Sequence, residues 1–305
     1  MRAAGVDRIG GQVGLLELPE PCPPRPGEVL VEMRACGVGN WDDIVRAGGW
    51  DTGARPPMAL GVEGAGLVAA VGPNVRGIAP GDAVTAHSVP LPGGTWAERF
   101  VAAAAHVAAV PAGVSLAAAG ALPVPALTAD QALRDAVAVR PGETVLVHGA
   151  GGVTGGMLVQ LASQLGARVI ATASGPSASR LAAMGAAQVI DYREPDWPER
   201  VRAGGGADAA VNAARSGSAD AVRAVRDGGR LATITSDLPA AERGIAMAEV
   251  YVAPDGARLR RLAALLAGGV LTVPVGARFP LAQAAQAMGR VGQGTHGEAI
   301  VIEAP

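Results

Sequence analysis

An apolar run, Thr144-Val145-Leu146-Val147-His148, breaks into closely spaced glycines, Gly149-Ala150-Gly151-Gly152-Val153-Thr154-Gly155-Gly156, just ahead of a segment with helical spacing. A strand, a tight turn and a helix in that order make a place for a pyrophosphate. Glycines at 149, 152 and 155 permit the turn, close approach of backbone to ligand and close packing of helix on strand, while the helix offers free N–H groups and the positive end of its dipole. On this reading Gly149, Gly151, Gly152, Val153 and Thr154 bind a dinucleotide. With 44 glycines in the chain, such a spacing also arises by chance in an ordinary βα turn. The pattern of residues 157–235 decides between the two.

Residues 168–173, 188–192, 209–214 and 230–235 read as four further apolar strands, each separated from the last by a segment of helical spacing. That alternation predicts a parallel sheet with crossover helices, the doubly wound α/β class. The helix predicted at 153–165 carries no charge and stops at Gly166, as a buried crossover closed by glycine should. A methyltransferase-like nucleotide site and a decayed site are the alternatives to a dinucleotide.

No Asp or Glu occurs between Gly156 and Ile190, so the second strand lacks the acid that would hold a ribose 2′-hydroxyl. A carboxylate there would repel a 2′-phosphate; hydroxyls and a guanidinium would bind one. Ser174, Ser177 and Arg180 supply those groups within one loop and the first helical turn, which predicts NADPH in preference to NADH. Arg180 as a plain solvated helix residue is the competing reading.

At 305 residues, half of them hydrophobic, the chain is long enough for two domains with substantial cores. A net charge of −2 gives no electrostatic reason to expect nucleic acid or an anionic membrane as partner. Two cysteines, Cys22 and Cys36, and four scattered histidines make neither a disulfide framework nor a zinc cluster. The first residues lack a long apolar core, so no secretory signal is read and the cytoplasm is the default. The longest apolar tract, 107–129, holds Pro111, Pro123 and Pro125, which favours a buried connection between domains over a membrane span.

The first hundred residues have a different texture. Residues 27–34 alternate with period two, 66–71 and 83–86 are short β-rich runs, and Pro26-Gly27, Gly72-Pro73-Asn74 and Pro80-Gly81-Asp82 are turn signals between them. This predicts a β-rich domain. After the fifth strand of the middle region come a helix at 257–267, a strand at 272–275, a helix at 281–291 and a last strand at 298–303, expected to return to the first domain. The predicted division is 1–118 with 268–305, and 119–267.

The motifs 61–66 (Gly-Val-Glu-Gly-Ala-Gly), 71–84 (Val-Gly-Pro-Asn-Val-Arg-Gly-Ile-Ala-Pro-Gly-Asp-Ala-Val) and 122–129 (Leu-Pro-Val-Pro-Ala-Leu-Thr-Ala), together with the glycine turn beyond them, resemble the medium-chain dehydrogenase/reductase superfamily over nearly the whole chain. The resemblance implies a GroES-like β-rich catalytic domain plus a Rossmann domain, with the active site in the cleft between them. It also implies a homodimer. Where that superfamily's alcohol dehydrogenases place catalytic zinc ligands, this chain has Gly39, Val62 and Val124, none of which coordinates zinc, and Glu63 alone does not make a site. The cysteine-rich structural-zinc lobe is also missing from the short 87–96 connection. The chain is therefore similar to the zinc-free quinone oxidoreductase and enoyl reductase branch, and no metal is expected.

The same resemblance places Cys36–Asp43 where the catalytic-domain loop meets the cofactor. Asn40 would donate to a phosphate or to substrate, and Trp41 would wall a flat substrate or serve as core. Thr128 matches a threonine near the nicotinamide or a phosphate, although a hydroxyl at a helix start would equally be a cap. Tyr192 resembles a tyrosine near the 2′-phosphate, Asn212 ends the fourth strand on the ligand side, and the segment around Val252 resembles one whose backbone holds the carboxamide. The implied activity is NADPH-dependent hydride transfer to a quinone or an α,β-unsaturated carbonyl. A biosynthetic reductase or cyclase of the same fold, and a redox-inactive NADPH-binding protein, stay open beside it.

Overall fold

The computed structural model describes residues 1–89 and 93–304, and the chain divides into two compact units, Met1–Val124 with Pro254–Pro305, and Pro125–Ala253. Residues 90–92 of the short 87–96 connection, and residue 305, lie outside the described residues.

The first unit opens with strands β1 (Arg2–Val6), β2 (Gly14–Glu17) and β3 (Glu28–Val38), then helix α1 (Asn40–Arg46). It continues with β4 (Met58–Ala59), β5 (Glu63–Val71), β6 (Ala83–His87), β7 (Arg99–Ala103), β8 (Val107–Ala109) and α2 (Leu116–Gly120). The period-two pattern of β3 buries Val29, Val31, Met33 and Ala35 on one face, which is what fixes its register. One edge of β3 pairs antiparallel with β5; the other is shared, β7 taking Glu28 to Glu32. Helix α1 falls in a segment that resemblance treats as loop. Asp43 in its first turn and Arg46 in its last suit the helix dipole.

Helix α3 (Pro123–Gln131) leads through a π-helical turn, Ala132–Ala136, into the second unit's strands and crossovers. These are β9 (Thr144–His148), α4 (Val153–Gln164), β10 (Arg168–Thr172), α5 (Ala178–Ala183), β11 (Ala186–Ile190), α6 (Trp197–Ala203), β12 (Ala207–Asn212), α7 (Ser218–Ala224), β13 (Val225–Thr233) and β14 (Ala246–Glu249). Among the described residues they form one six-stranded sheet in the order β11-β10-β9-β12-β13-β14, every pair parallel. This is the doubly wound order, whose ligand crevice opens at the carboxyl ends of β9 and β12. Leu146, Ile170, Ala210 and Leu231 share one buried cluster with Trp197 and Val201 of α6.

The chain then returns to the first unit with α8 (Gly256–Ala267), β15 (Val275–Pro280), α9 (Ala284–Gly292) and β16 (Ala299–Glu303). Strand β16 pairs antiparallel with β3, Ile300 facing Val38 and Glu303 facing Ala35, so the last strand does close the first sheet. Two expectations shift. The strand expected at 272–275 begins instead at Val275, because Pro274 has no N–H for a ladder and only its carbonyl is used, by Ala299 N at 2.6 Å. Helix α8 falls in the first unit, not in the predicted 119–267 segment: a Cβ at Gly256 would lie 2.5 Å from the Ala105 carbonyl, so this helix packs directly on the backbone before β8.

Candidate functional site

At the carboxyl end of β9 the backbone turns at Gly149 with φ of 81°. A Cβ there would lie 2.6 Å from the Ala214 nitrogen, so both conformation and space demand glycine. Gly155, one turn into α4, would put a Cβ 2.3 Å from the Gly149 carbonyl, so helix and turn pack without a side chain between them. Gly152 is different: it precedes α4 in extended conformation, makes no side-chain cap, and a Cβ there meets nothing within 4 Å. The amides of Val153 and Thr154 thus start a twelve-residue helix that has no side-chain cap at Gly152. That cradle suits a diphosphate.

Thr172, ending β10, ties this turn to its neighbour: its hydroxyl accepts from the Gly149 amide at 3.1 Å and lies 2.6 Å from His148 Nδ1. The His148 ring stacks on Trp197 at 4.9 Å, and burial pushes its pKa down. Ser174 precedes a 3-10 turn, Gly175–Ser177. Arg180 does not stand free beside it. Its Nη2 donates to the Gly151 carbonyl at 2.9 Å and its Nη1 reaches Met184 Sδ at 3.5 Å, so the guanidinium lies across the glycine turn. Tyr192 sits just beyond β11 with half of its surface exposed. Thr128 lies inside α3, not at a helix start, so the capping alternative falls away. The segment at Val252 is clamped by Gln131, which donates to Ala253 O at 2.7 Å and accepts from Ala253 N at 3.0 Å.

Asn212 is fully buried at the end of β12, and its amide faces inward. Its Oδ1 accepts from Ala214 N at 3.0 Å, and its Nδ2 lies 2.9 Å from Ala214 O, Ser218 Oγ and Thr235 Oγ1. Beside it Asp237 accepts from the hydroxyls of Ser218, Thr233 and Thr235, each at 2.7 Å, and from Ser218 N at 3.1 Å. Burial alone would raise the Asp237 pKa; the hydroxyls of Thr233, Ser218 and Thr235 outweigh it and hold it at about 2. This network is absent from the sequence expectations. Its signal was the hydroxyl-rich turn Thr233-Ile234-Thr235-Ser236-Asp237 at the end of a strand.

In the first unit, Asn40 is exposed at the first position of α1. The indole of Trp41 folds against Gly39, where a Cβ would come within 2.3 Å of Cε2 and Cζ2. Its Nε1 finds no hydrogen-bond partner among the described residues. Asp42 is buried; one oxygen accepts from Gly39 N at 2.8 Å, the other has no partner among the described residues, and burial pushes the carboxyl up to about 8. Glu63 is buried too, accepting from Val124 N at 2.7 Å, and burial raises its pKa well above the carboxylate range against that one hydrogen bond. Among the described residues no three His, Cys, Asp or Glu side chains are grouped as metal ligands. No helix among them is long and apolar enough to cross a membrane.

The parallel sheet of the second unit has the strand order of a Rossmann-type, doubly wound α/β fold. Residues 25–112 match the alcohol dehydrogenase GroES-like domain and residues 184–301 the zinc-binding dehydrogenase family. A crystal structure of an NAD-dependent alcohol dehydrogenase is 32% identical and superposes with a TM-score of 0.87, covering 99% of both chains. The pikromycin polyketide synthase component PikAII of Streptomyces venezuelae is 35% identical over 93% of this chain and 8% of its own length. A quinone oxidoreductase of Pseudomonas aeruginosa is 37% identical over 60% of this chain and 55% of its own. The chain spans only 8% to 14% of the polyketide synthases PikAII, NorB, Pks15/1 and the mycocerosic acid synthase-like protein. It belongs to the medium-chain dehydrogenase/reductase superfamily.

Proposed function

We propose that the chain is a metal-independent, NADPH-dependent reductase whose acceptor is a quinone or an α,β-unsaturated carbonyl compound. The observation that carries this reading is the packing at Gly39. Gly39, which resemblance matches to the first zinc ligand, has no side chain and its space is filled by the Trp41 indole, while Val62 and Val124, matched to the other two, are buried. Without a metal to stabilise an alkoxide, oxidation of a saturated alcohol lacks its usual support. A conjugated acceptor needs only orientation, a hydrogen bond to its oxygen and exclusion of water.

The glycine cradle fits a dinucleotide: Gly149 is left-handed, and Gly152 faces open space ahead of the first-turn amides of Val153 and Thr154, which no side chain caps. Those residues with Gly151 would hold the pyrophosphate, and Ser174, Arg180 and Tyr192 the 2′-phosphate. Thr128 and Val252 would bound the nicotinamide half, and Asn212 would act through the loop it pins. When bound, NADPH supplies the hydride. Asn40 would donate to the acceptor oxygen and Trp41 present a flat apolar surface. The chain contains no lysine, all 25 of its Lys and Arg residues being arginine, and the proton that completes the reduction would come from water or a weakly placed donor.

The polyketide synthase relative favours one refinement, an α,β-unsaturated thioester as the acceptor in a biosynthetic pathway. Rates of NADPH consumption with 1,4-benzoquinone, a simple enone and a crotonyl thioester, set against NADP⁺ reduction by a secondary alcohol, test both the mechanism and the acceptor class. Faster turnover of the alcohol overturns the mechanism. Tight NADPH binding with no turnover of any acceptor establishes the redox-inactive reading instead.

A further inference from the structure

The loop 213–217, between β12 and α7, lies directly against the glycine turn. Ala213 N donates to His148 O at 2.8 Å, and Gly149 lacks a side chain because the Ala213 and Ala214 backbone occupies that space. The loop is fixed at both ends: Asn212 brackets Ala214 through its N–H and its carbonyl, and Asp237 holds the amide and hydroxyl of Ser218. Between these anchors Gly217 N donates to Ala214 O at 3.0 Å, and Ser216 takes a left-handed conformation with φ of 58°. Arg215 is the one charged residue of the loop, exposed at its tip. Its guanidinium has no ion pair or hydrogen bond among the described residues, whereas Arg202, Arg223, Arg226, Arg230 and Arg243 of the same unit are each paired with a carboxylate.

We propose that Arg215 is a cofactor-binding residue, its guanidinium pairing with the pyrophosphate of the dinucleotide held at the glycine turn. The assignment rests on the proposal that this turn binds a dinucleotide. Placement supports it: the crevice between the carboxyl ends of β9 and β12 is where this sheet order seats a ligand, and the loop carrying Arg215 forms its β12 side. Backbone amides on one side and a planar cationic fork on the other complement a diphosphate in charge and in hydrogen-bond geometry. The Asn212 and Asp237 network then has a role in the site. Each is a positioning residue that holds the loop against the turn.

The test is fluorescence titration of NADPH and of NADH against wild type, Arg215→Ala, Arg215→Lys and Arg226→Ala, at low and high salt. Arg226 lies at the opposite end of the same sheet, so its removal controls for net charge. Arg215→Ala should weaken both dinucleotides by the same factor, about tenfold, or about 1.4 kcal/mol. Arg215→Lys should recover part of that loss, wild-type binding should depend more steeply on salt than that of Arg215→Ala, and Arg226→Ala should bind as wild type does. A loss confined to NADPH would move Arg215 to the 2′-phosphate and overturn the pyrophosphate assignment. Unchanged affinities in Arg215→Ala would overturn any contact. A wild-type chain that binds neither dinucleotide would overturn the cofactor reading itself, and this assignment with it.

Discussion

Replacing Asp237 with asparagine should destabilise the second unit by about 1–2 kcal/mol at pH 7, and the loss should fade as the pH falls. The carboxylate accepts three hydroxyls at 2.7 Å and one amide at 3.1 Å, and these hold its pKa at about 2 against an ordinary 3.8. At about 1.36 kcal/mol per tenfold change in proton affinity, that difference corresponds to about 2.5 kcal/mol. Water reaching the partly exposed carboxylate lowers the figure to the range given. Because the folded pKa lies below the unfolded one, the unfolded chain binds more protons between the two. The stabilisation is therefore complete above about pH 5, about half remains near pH 3, and it disappears as the pH falls through 2. Asparagine keeps the shape but turns an NH₂ toward donors, at every pH. Urea unfolding followed by circular dichroism at pH 7, 5 and 3 measures the gap between variant and wild type. A gap that is as wide at pH 3 as at pH 7 would show that the charge is not its source, and the reasoning would fail.

Arg180→Ala should weaken NADPH about tenfold and leave NADH within about threefold if its guanidinium reads the 2′-phosphate. Equal losses in the two titrations would make it a brace for the Gly151 carbonyl it contacts. Elemental analysis should find well under one zinc per chain, and chelation should leave turnover unchanged; a stoichiometric zinc lost together with activity would contradict the metal-free reading. Gly39→Ala should cost about 1–3 kcal/mol by forcing the Trp41 ring away, and Trp41→Ala in the same chain should relieve most of that cost in thermal unfolding.

The parallel sheet was legible because its central strands are short apolar runs buried on both faces, and nothing else in the chain repeats with that spacing. The ends of the strands were not. The third and fourth start two residues earlier than their apolar content suggests, at Ala186 and Ala207, since alanine carries little strand signal of its own. Strand β14, Ala-Met-Ala-Glu, joins the sheet only through its pairing with β13, a tertiary contact that leaves no local pattern. The site divides in the same way. The glycine turn is a local device, and its spacing states its geometry. The network around Asp237 joins residues from 212 to 237, ordinary polar residues one by one, and only the sheet brings them together. Arg180 shows the converse: its place in sequence predicted a free cation near Ser174, and folding set it over the turn.

Asp42 and Glu63 raise the sharpest question about the metal-free proposal, because two buried acids are hydrogen-bonded to the backbone of Gly39 and Val124, two of the positions that resemblance matches to zinc ligands. Each accepts a single backbone N–H, from Gly39 and from Val124, and neither has a basic partner in an ion pair among the described residues. Burial therefore favours the neutral form of each: Asp42 is pushed up to about 8 from 3.8 and Glu63 is raised well above 4.5. For an acid whose folded pKa exceeds its unfolded one, the folded state binds the extra proton, so stability is greatest at or below the unfolded value and declines as the pH climbs toward the folded one. Asparagine at 42 keeps an oxygen for the Gly39 amide and removes the ionisation. Asp42→Asn should accordingly match wild type at or below about pH 4 and melt at a higher temperature than wild type at pH 8, with the gap widening steadily between. Thermal unfolding across that range gives the answer. If instead wild type gains on the variant as the pH rises, the carboxylate is charged and compensated, and a cation must sit beside Gly39 after all.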